Sequence, residues 1–245
     1  TLTLYDLGAK LALYSRAVVQ GALDTLLPHA ASLGGRRDEA GIRASFVEGT
    51  RWVLAAYGLV ATVAMVAGGP FLALWIGPGR EQSAKVLFLL VAANLYQAQN
   101  LTGHVMLVGL GRLRAFTLVM GAYPVLIVGL GLWAGTVSAT PAVAVAGAVL
   151  ATVVLLESAL LIILTRSFAV PLGSLLRYCH APVAAAFVAG LALGFGVRDL
   201  AASPVVRLLA AGGGAALGYA AVFLLLGSGG ALLAQSDGLE VADVT

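Results

Sequence analysis

Residues 141–165 read PAVAVAGAVLATVVLLESALLIILT, a run of 25 positions in which Glu157 is the only charged side chain. The hydrocarbon core of a bilayer is about 30 Å thick, and a helix of about 20 apolar residues crosses it. A helix satisfies all its backbone hydrogen bonds internally, so a run of this length and composition is typical of a transmembrane span. We therefore take lipid as the solvent of this segment.

The rest of the chain has the same character. Of its 245 residues 60% are hydrophobic and 10% are charged, whereas soluble domains are about 45–50% apolar and about 25% charged. The composition predicts an all-α fold, a polytopic transmembrane helix bundle of about seven spans. By the length criterion used for residues 141–165, the spans fall at 4–31, 52–76, 84–110, 115–135, 141–165, 180–197 and 204–227.

Basic residues are unevenly distributed between the loops on the two sides. One set of alternate loops holds eight arginines and the other holds four basic residues, while Lys10 and Arg16 lie inside the first span. The positive-inside rule places the richer side in the cytoplasm of a bacterial inner membrane. The N-terminus is then periplasmic and the C-terminus cytoplasmic, which predicts a missing N-terminal half. The two sets are Arg36, Arg37, Arg43, Arg51, Arg112, Arg114, Arg166 and Arg177, against Arg80, Lys85, Arg198 and Arg207.

The first span is unusually polar. A charge near the bilayer centre costs at least ~2.5–3.5 kcal/mol, so such groups face a wet cavity or a partner. We predict that Lys10, Arg16 and Gln20 bind an anionic headgroup, because a guanidinium binds phosphate oxygens bidentately. Internal pairing, for example of Arg16 with Asp24 or with a carboxylate of the missing half, is the alternative. Steps of three and four place on one helical face Asp6, Lys10, Tyr14, Ala17, Gly21, Asp24 and Pro28.

The third span carries a second polar stripe. At 100° per residue Asn94, Gln97, Asn100 and His104 share an arc of about 120°, whereas Gln99 points the other way. These amides either line a cavity and bind sugar hydroxyls, or tie helices together. We include Asn94, Gln97 and Asn100 among the predicted substrate-binding residues.

Two carboxylates are candidates for ion coupling. Glu157 in the fifth span and Asp24 in the first are placed where a proton or sodium ion can bind, and structural pairing is the alternative for Glu157. The single cysteine and the three scattered histidines offer neither a disulfide nor metal-ligand spacing, so we expect no metal or other cofactor. A net charge of +3 gives no reason to expect nucleic acid as a partner.

The external loops are too short for a catalytic domain, and the sequence shows no nucleophile motif and no phosphate-binding glycine loop. We therefore do not expect an enzyme. A membrane glycan polymerase or ligase, which needs an extended periplasmic loop, and a non-transporting scaffold remain the alternatives from other classes.

Five short motifs follow one another in order between residues 4 and 177. They are Leu4-Tyr-Asp-Leu-Gly-Ala-Lys10 with Gln20 and Leu27-Pro28 behind it, Gly49-Thr-Arg51, Leu74-Trp-Ile-Gly-Pro78, Leu107-Val-Gly-Leu-Gly-Arg112 and Phe168-Ala-Val-Pro-Leu172. In these motifs the chain resembles the second half of bacterial polysaccharide flippases, a branch of the multidrug/oligosaccharidyl-lipid/polysaccharide exporter superfamily.

The resemblance implies a fourteen-helix, two-lobe transporter that works by alternating access. It implies a substrate, an undecaprenyl-pyrophosphate-linked oligosaccharide, whose pyrophosphate binds cationic cavity residues, here Lys10 and Arg16. Residues 1–177 then form five spans of the C-terminal lobe, 178–230 a terminal hairpin, and 231–245 a disordered acidic tail. A lipid II flippase and a cation-coupled multidrug exporter of the same superfamily are the alternatives. A cavity for cationic drugs favours carboxylates over Lys10 and Arg16, so the charge supports a flippase.

Overall fold

The computed structural model describes residues 2–23, 26–77, 79, 81–112, 114–198 and 203–236. Across these segments the regular structure is helical and contains no β-strand, so the predicted all-α class is confirmed. The elements are α1 (Leu2–Leu23), α2 (Leu26–Gly35), α3 (Glu39–Ile76), α4 (Glu81–Gly109), α5 (Arg114–Val137), α6 (Pro141–Ser167), α7 (Leu172–Leu175), a π-helical turn (Leu176–His180), α8 (Ala181–Arg198) and α9 (Pro204–Ser236).

Five helical segments among the described residues are long and apolar enough to cross a membrane. They match five of the seven predicted spans, and the chain is a multi-pass membrane helix bundle. The five segments are Glu39–Ile76, Phe116–Val137, Pro141–Ser167, Leu172–Arg198 and Pro204–Leu226.

The remaining two predicted spans fall on less apolar helices. The span at 84–110 lies within α4, and the span at 4–31 is divided between α1 and α2, with residues 24–25 outside the described part. With 29 residues, α4 is still long enough to cross the hydrocarbon core. It packs against α1, α2, α3 and α6, so its polar side chains meet protein rather than lipid.

The ends of α3 follow from local chemistry. Asp38 caps the helix by accepting a hydrogen bond from the Gly41 backbone N–H at 2.8 Å, and Glu39 adds a negative charge to the first turn. Beyond the last turn Gly77 adopts φ 95°, a conformation that glycine tolerates best. Trp52 and Trp75 are both mostly exposed, about 34 Å apart along the helix, as expected of side chains at the two membrane interfaces.

Arginine-bearing loops meet at one end of the bundle. The Arg112 side chain, after α4, donates to the backbone oxygen of Ser167, the last residue of α6, at 3.3 Å. At the same end His29 of α2 hydrogen-bonds Ser45 of α3 at 3.2 Å. The C-terminal ends of α4 and α6 therefore lie at the same end of the bundle.

The terminal hairpin is formed by α8 and α9, which pack against each other and against α3. Gly190 and Gly194 of α8 are buried where the three helices meet. Helix α9 continues to Ser236, so the first part of the predicted acidic tail, 231–236, is helical. Residues 237–245, with Asp237, Glu240 and Asp243, lie outside the described residues.

Candidate functional site: a polar cluster around Glu157

The carboxylate of Glu157 lies fully buried in the middle of α6. Asn100 of α4 donates from Nδ2 to Glu157 Oε2 at 2.6 Å and to the Glu157 backbone oxygen at 2.7 Å. The hydroxyl of Tyr123, on α5, donates to Oε1. Since a buried carboxylate without partners is very costly, these donors explain how the membrane-spanning helix holds this group.

His104 lies beside the same carboxylate. Its Nε2 is 3.7 Å from Glu157 Oε2, and its ring meets Phe116 of α5 edge-on, with 5.1 Å between the ring centroids. The imidazole is 13% exposed, so the carboxylate faces a second titratable group in a nearly closed space.

The cluster extends from Glu157 to the first helix through Gln97. Arg16 of α1 donates from Nη1 to Gln97 Oε1 at 3.0 Å. The Gln97 side chain also lies beside the Glu157 carboxylate and the Tyr123 hydroxyl. Tyr57 of α3 holds the α1 backbone there by donating to the Arg16 carbonyl at 3.2 Å. Four of the residues predicted as site residues, Arg16, Gln97, Asn100 and Glu157, are thus brought into one network.

This arrangement offers two kinds of binding. A carboxylate with nearby amide and hydroxyl oxygens is a set of ligands for a proton or a small cation. A half-buried guanidinium at the edge of the cluster is a ligand for phosphate oxygens. In the described part of the chain, no three His, Cys, Asp or Glu residues lie close enough to hold a metal ion.

Lys10 lies apart from this cluster. It pairs with Asp6 one turn earlier, with Lys10 Nζ 2.8 Å from Asp6 Oδ2, and both side chains are about 60% exposed. Leu13, Tyr14 and Ala17 are exposed beside them, so this face of α1 points out of the bundle. The described members of the predicted helical face on α1, Asp6, Lys10, Tyr14 and Ala17, are thus exposed together.

The other predicted residues have separate positions. Asn94 donates to the Ala12 carbonyl at 2.9 Å and so ties α4 to α1, which is the alternative foreseen for this stripe. The side chain of Gln20 and the whole of Asp24 lie outside the described residues, so both stay predictions. Gln99 points away from the stripe, as predicted, and hydrogen-bonds His180 at 3.0 Å.

A cavity of about 410 Å³ lies between α3, α4 and α8, on the Gln99 side of α4. Apolar side chains such as Leu54, Met65 and Phe187 form most of its wall. None of Lys10, Arg16, Gln97 or Asn100 lines it. The cavity is therefore separate from the cluster around Glu157.

Sequence reasoning placed Arg51 in a loop, but it lies in α3 and is only 7% exposed. Its Nη1 donates to the Tyr178 hydroxyl at 2.6 Å, and its guanidinium stacks on the Tyr178 ring. That hydroxyl in turn donates to Glu48 Oε2 at 3.1 Å. The prediction missed the helical position because a basic residue three turns into a helix looks, in sequence, like part of the preceding basic loop. This second cluster fixes the terminal hairpin to α3.

Comparison of the chain with protein-family models, with curated proteins and with solved structures finds no match. The assignment of function therefore depends on the physical chemistry of the residues described above.

Proposed function

We propose that this chain is the second half of a flippase, which moves an undecaprenyl-pyrophosphate-linked oligosaccharide from the cytoplasmic to the periplasmic leaflet by alternating access. The observation that carries the proposal is the convergence of Arg16, Gln97, Asn100 and Glu157. It joins a cation suited to a phosphate group with a buried carboxylate suited to a coupling ion, across three helices.

The exposed face of α1 supports an anionic ligand. Lys10 and Asp6 form an exposed i,i+4 pair, and exposed pairs of this kind contribute little to stability. A pyrophosphate can therefore displace Asp6 from Lys10 at little cost. Arg16, six residues further along α1 and turned toward Gln97, supplies a planar guanidinium that can bind phosphate oxygens in a bidentate manner.

Glu157 supplies the coupling step. In the proposed cycle a cation binds the carboxylate in one state of the transporter and leaves it in the other, which biases the helices that meet there. Helices α1, α4, α5 and α6 all contribute to the cluster, so a change of charge at Glu157 acts on all four.

A cation-coupled multidrug exporter is the second candidate. The buried carboxylate of Glu157 favours it, because a carboxylate inside the bundle also attracts a cationic drug. The Arg16 guanidinium beside it repels such a drug and supports the flippase instead.

Complementation tests the proposal. In a bacterium that lacks its own polysaccharide flippase, we expect the full-length gene to restore surface glycan. Arg16→Ala abolishes export and Lys10→Ala reduces it at least tenfold at equal protein levels, because each removes a phosphate ligand. Tyr14→Phe, on the same exposed face, serves as the matched control with full export. Rescue of a strain depleted of its lipid II flippase points to that substrate instead, and drug resistance without glycan export contradicts the proposal.

The proposed orientation has its own test. In the full-length protein, a cysteine at Ala139, between α5 and α6, reacts with a membrane-impermeant maleimide added outside the cell. A cysteine at Arg36, after α2, reacts only after the cells are permeabilised. The native Cys179 is buried and so contributes little background. Labelling of the Arg36 position in intact cells reverses the orientation.

A further inference from the structure

Gln97 of α4 contacts Arg16 and lies beside Glu157. Its oxygen accepts from Arg16, and Asn100, one turn further along α4 on the same stripe, donates to the Glu157 carboxylate, so the Gln97 amide lies close to that carboxylate. Its helix, α4, packs extensively against both α1 and α6, whereas α1 and α6 share only a small contact. Among the described residues, the Gln97 amide is therefore placed to connect the two charges.

We propose that Gln97 is a positioning residue that couples a cation site at Glu157 to an anion site at Arg16, so that the cation and the anionic headgroup bind with positive cooperativity. This inference rests on the proposed function, because it takes the two sites from it. It also reassigns Gln97, which the sequence predicted to bind the substrate directly.

The sign of the cooperativity follows from the charges. Opposite charges in a poorly solvated site attract strongly, so a charged Glu157 holds the Arg16 guanidinium toward the interior. A cation bound to Glu157 removes that attraction and makes Arg16 available to a phosphate. Conversely, a phosphate bound to Arg16 neutralises the positive charge that Glu157 experiences. A cation then binds Glu157 more strongly, since the coupling is reciprocal.

Other groups around the carboxylate do not change this sign. From α4 the facing titratable group is His104, from α5 it is Tyr123, and from α1 it is Arg16. Asn100 is uncharged and donates in either state of Glu157. Among the described groups around the carboxylate, the permanent positive charge is that of Arg16, so neutralising Glu157 mainly changes the field at Arg16.

Binding of undecaprenyl pyrophosphate to the full-length protein in nanodiscs tests the sign. We expect Glu157→Gln, which mimics the cation-bound state, to bind this lipid about tenfold more tightly than wild type. Undecaprenol, which lacks the charge, shows no such difference. In a Gln97→Met background we expect the variants with Glu and with Gln at position 157 to bind the lipid with about equal affinity, so that the ratio of their affinities is about one. Asn94→Leu is the matched control: its amide also ties α4 to α1, but its partner is the Ala12 carbonyl, so the tenfold ratio remains.

Weaker binding by Glu157→Gln, or an unchanged ratio in the Gln97→Met background, overturns the inference. A second measurement needs no substrate. It is a double-mutant cycle of Arg16→Gln and Glu157→Gln, in which the Tm of the full-length protein is measured. We expect the two changes in Tm to be non-additive in the wild-type background and additive in the Gln97→Met background. Additivity in both backgrounds also overturns the inference. If the lipid binds no variant, the proposed function fails, while the cycle still decides whether Gln97 couples the two charges.

Discussion

Replacing Glu157 with leucine is expected to abolish export and to lower the Tm of the full-length protein by about 5–15 °C. The substitution leaves the Tyr123 hydroxyl without its acceptor and removes the second acceptor of Asn100 inside the bundle. Each buried donor left unsatisfied costs about 1–3 kcal/mol. The Asn100 bond to the backbone oxygen of residue 157 survives, which limits the loss. Thermal unfolding in detergent and glycan export in cells measure the two effects.

Glu157→Gln separates stability from function. Glutamine keeps one side-chain oxygen as an acceptor, so we expect a Tm within a few degrees of wild type. We expect no export, because the proposed cycle requires the carboxylate to bind and release a coupling cation. Ser158→Ala, one residue along α6, removes a hydroxyl that contacts Tyr96 rather than the cluster, and it should retain export. Full export by Glu157→Gln would assign Glu157 a purely structural role.

The positions of the helices were predictable because hydropathy alone determines where a chain crosses a membrane. Residues 141–165, with one charge, correspond almost residue for residue to α6. Helix geometry was equally informative for α4, where 100° per residue separated Gln99 from the stripe of Asn94, Gln97 and Asn100. Helix α1 was harder to predict, since its polar residues lower its hydropathy.

The cluster around Glu157 was predictable only in its parts. Polar residues in apolar spans identified Arg16, Gln97, Asn100 and Glu157, but Asn100 and Glu157 are 57 residues apart in sequence, so their contact depends on helix packing. Nothing in the sequence indicated that Tyr123 belongs to the cluster, because a single tyrosine in an apolar helix lies more often at the membrane–water interface. For His104 the indication was weak, since it continues the polar stripe of α4. Lys10 was expected, with Arg16 and Gln20, to bind the headgroup, and the structure adds that Asp6 on its own helix face pairs with it.

Small residues at four-residue spacing show the limit of sequence patterns most clearly. The pairs Gly190/Gly194 and Gly214/Gly218 lie at the tight crossing of α8 and α9, while Gly131 and Gly135 have only ordinary contacts with Val145. All three pairs look alike in sequence, because the pattern states which residues share a face and not what that face meets.

Gly190→Leu is therefore expected to be the most disruptive single substitution in the terminal hairpin. A Cβ at Gly190 would lie 2.6 Å from Thr62 Cγ2 of α3 and 2.8 Å from the backbone oxygen of Ala215 in α9. A helix backbone cannot move aside as a flexible side chain does, so α8 must separate from both neighbours. Overpacking typically costs about 1–3 kcal/mol, and this clash involves two helices at once. We expect Tm to fall by about 5–10 °C and the folded yield after detergent extraction to fall several-fold.

Gly196→Leu is the matched control on the same helix. A Cβ at Gly196 meets no heavy atom within 4 Å, and the residue is exposed on the outer side of α8, where a leucine contacts lipid. Its Tm should stay within about 2 °C of wild type, because an apolar side chain gains or loses little between lipid and an apolar helix face. Equal loss in both variants would mean that glycine at these positions serves the helix backbone. A loss of Tm confined to Gly190→Leu means that the close approach of α8 to α3 and α9 holds the terminal hairpin against α3.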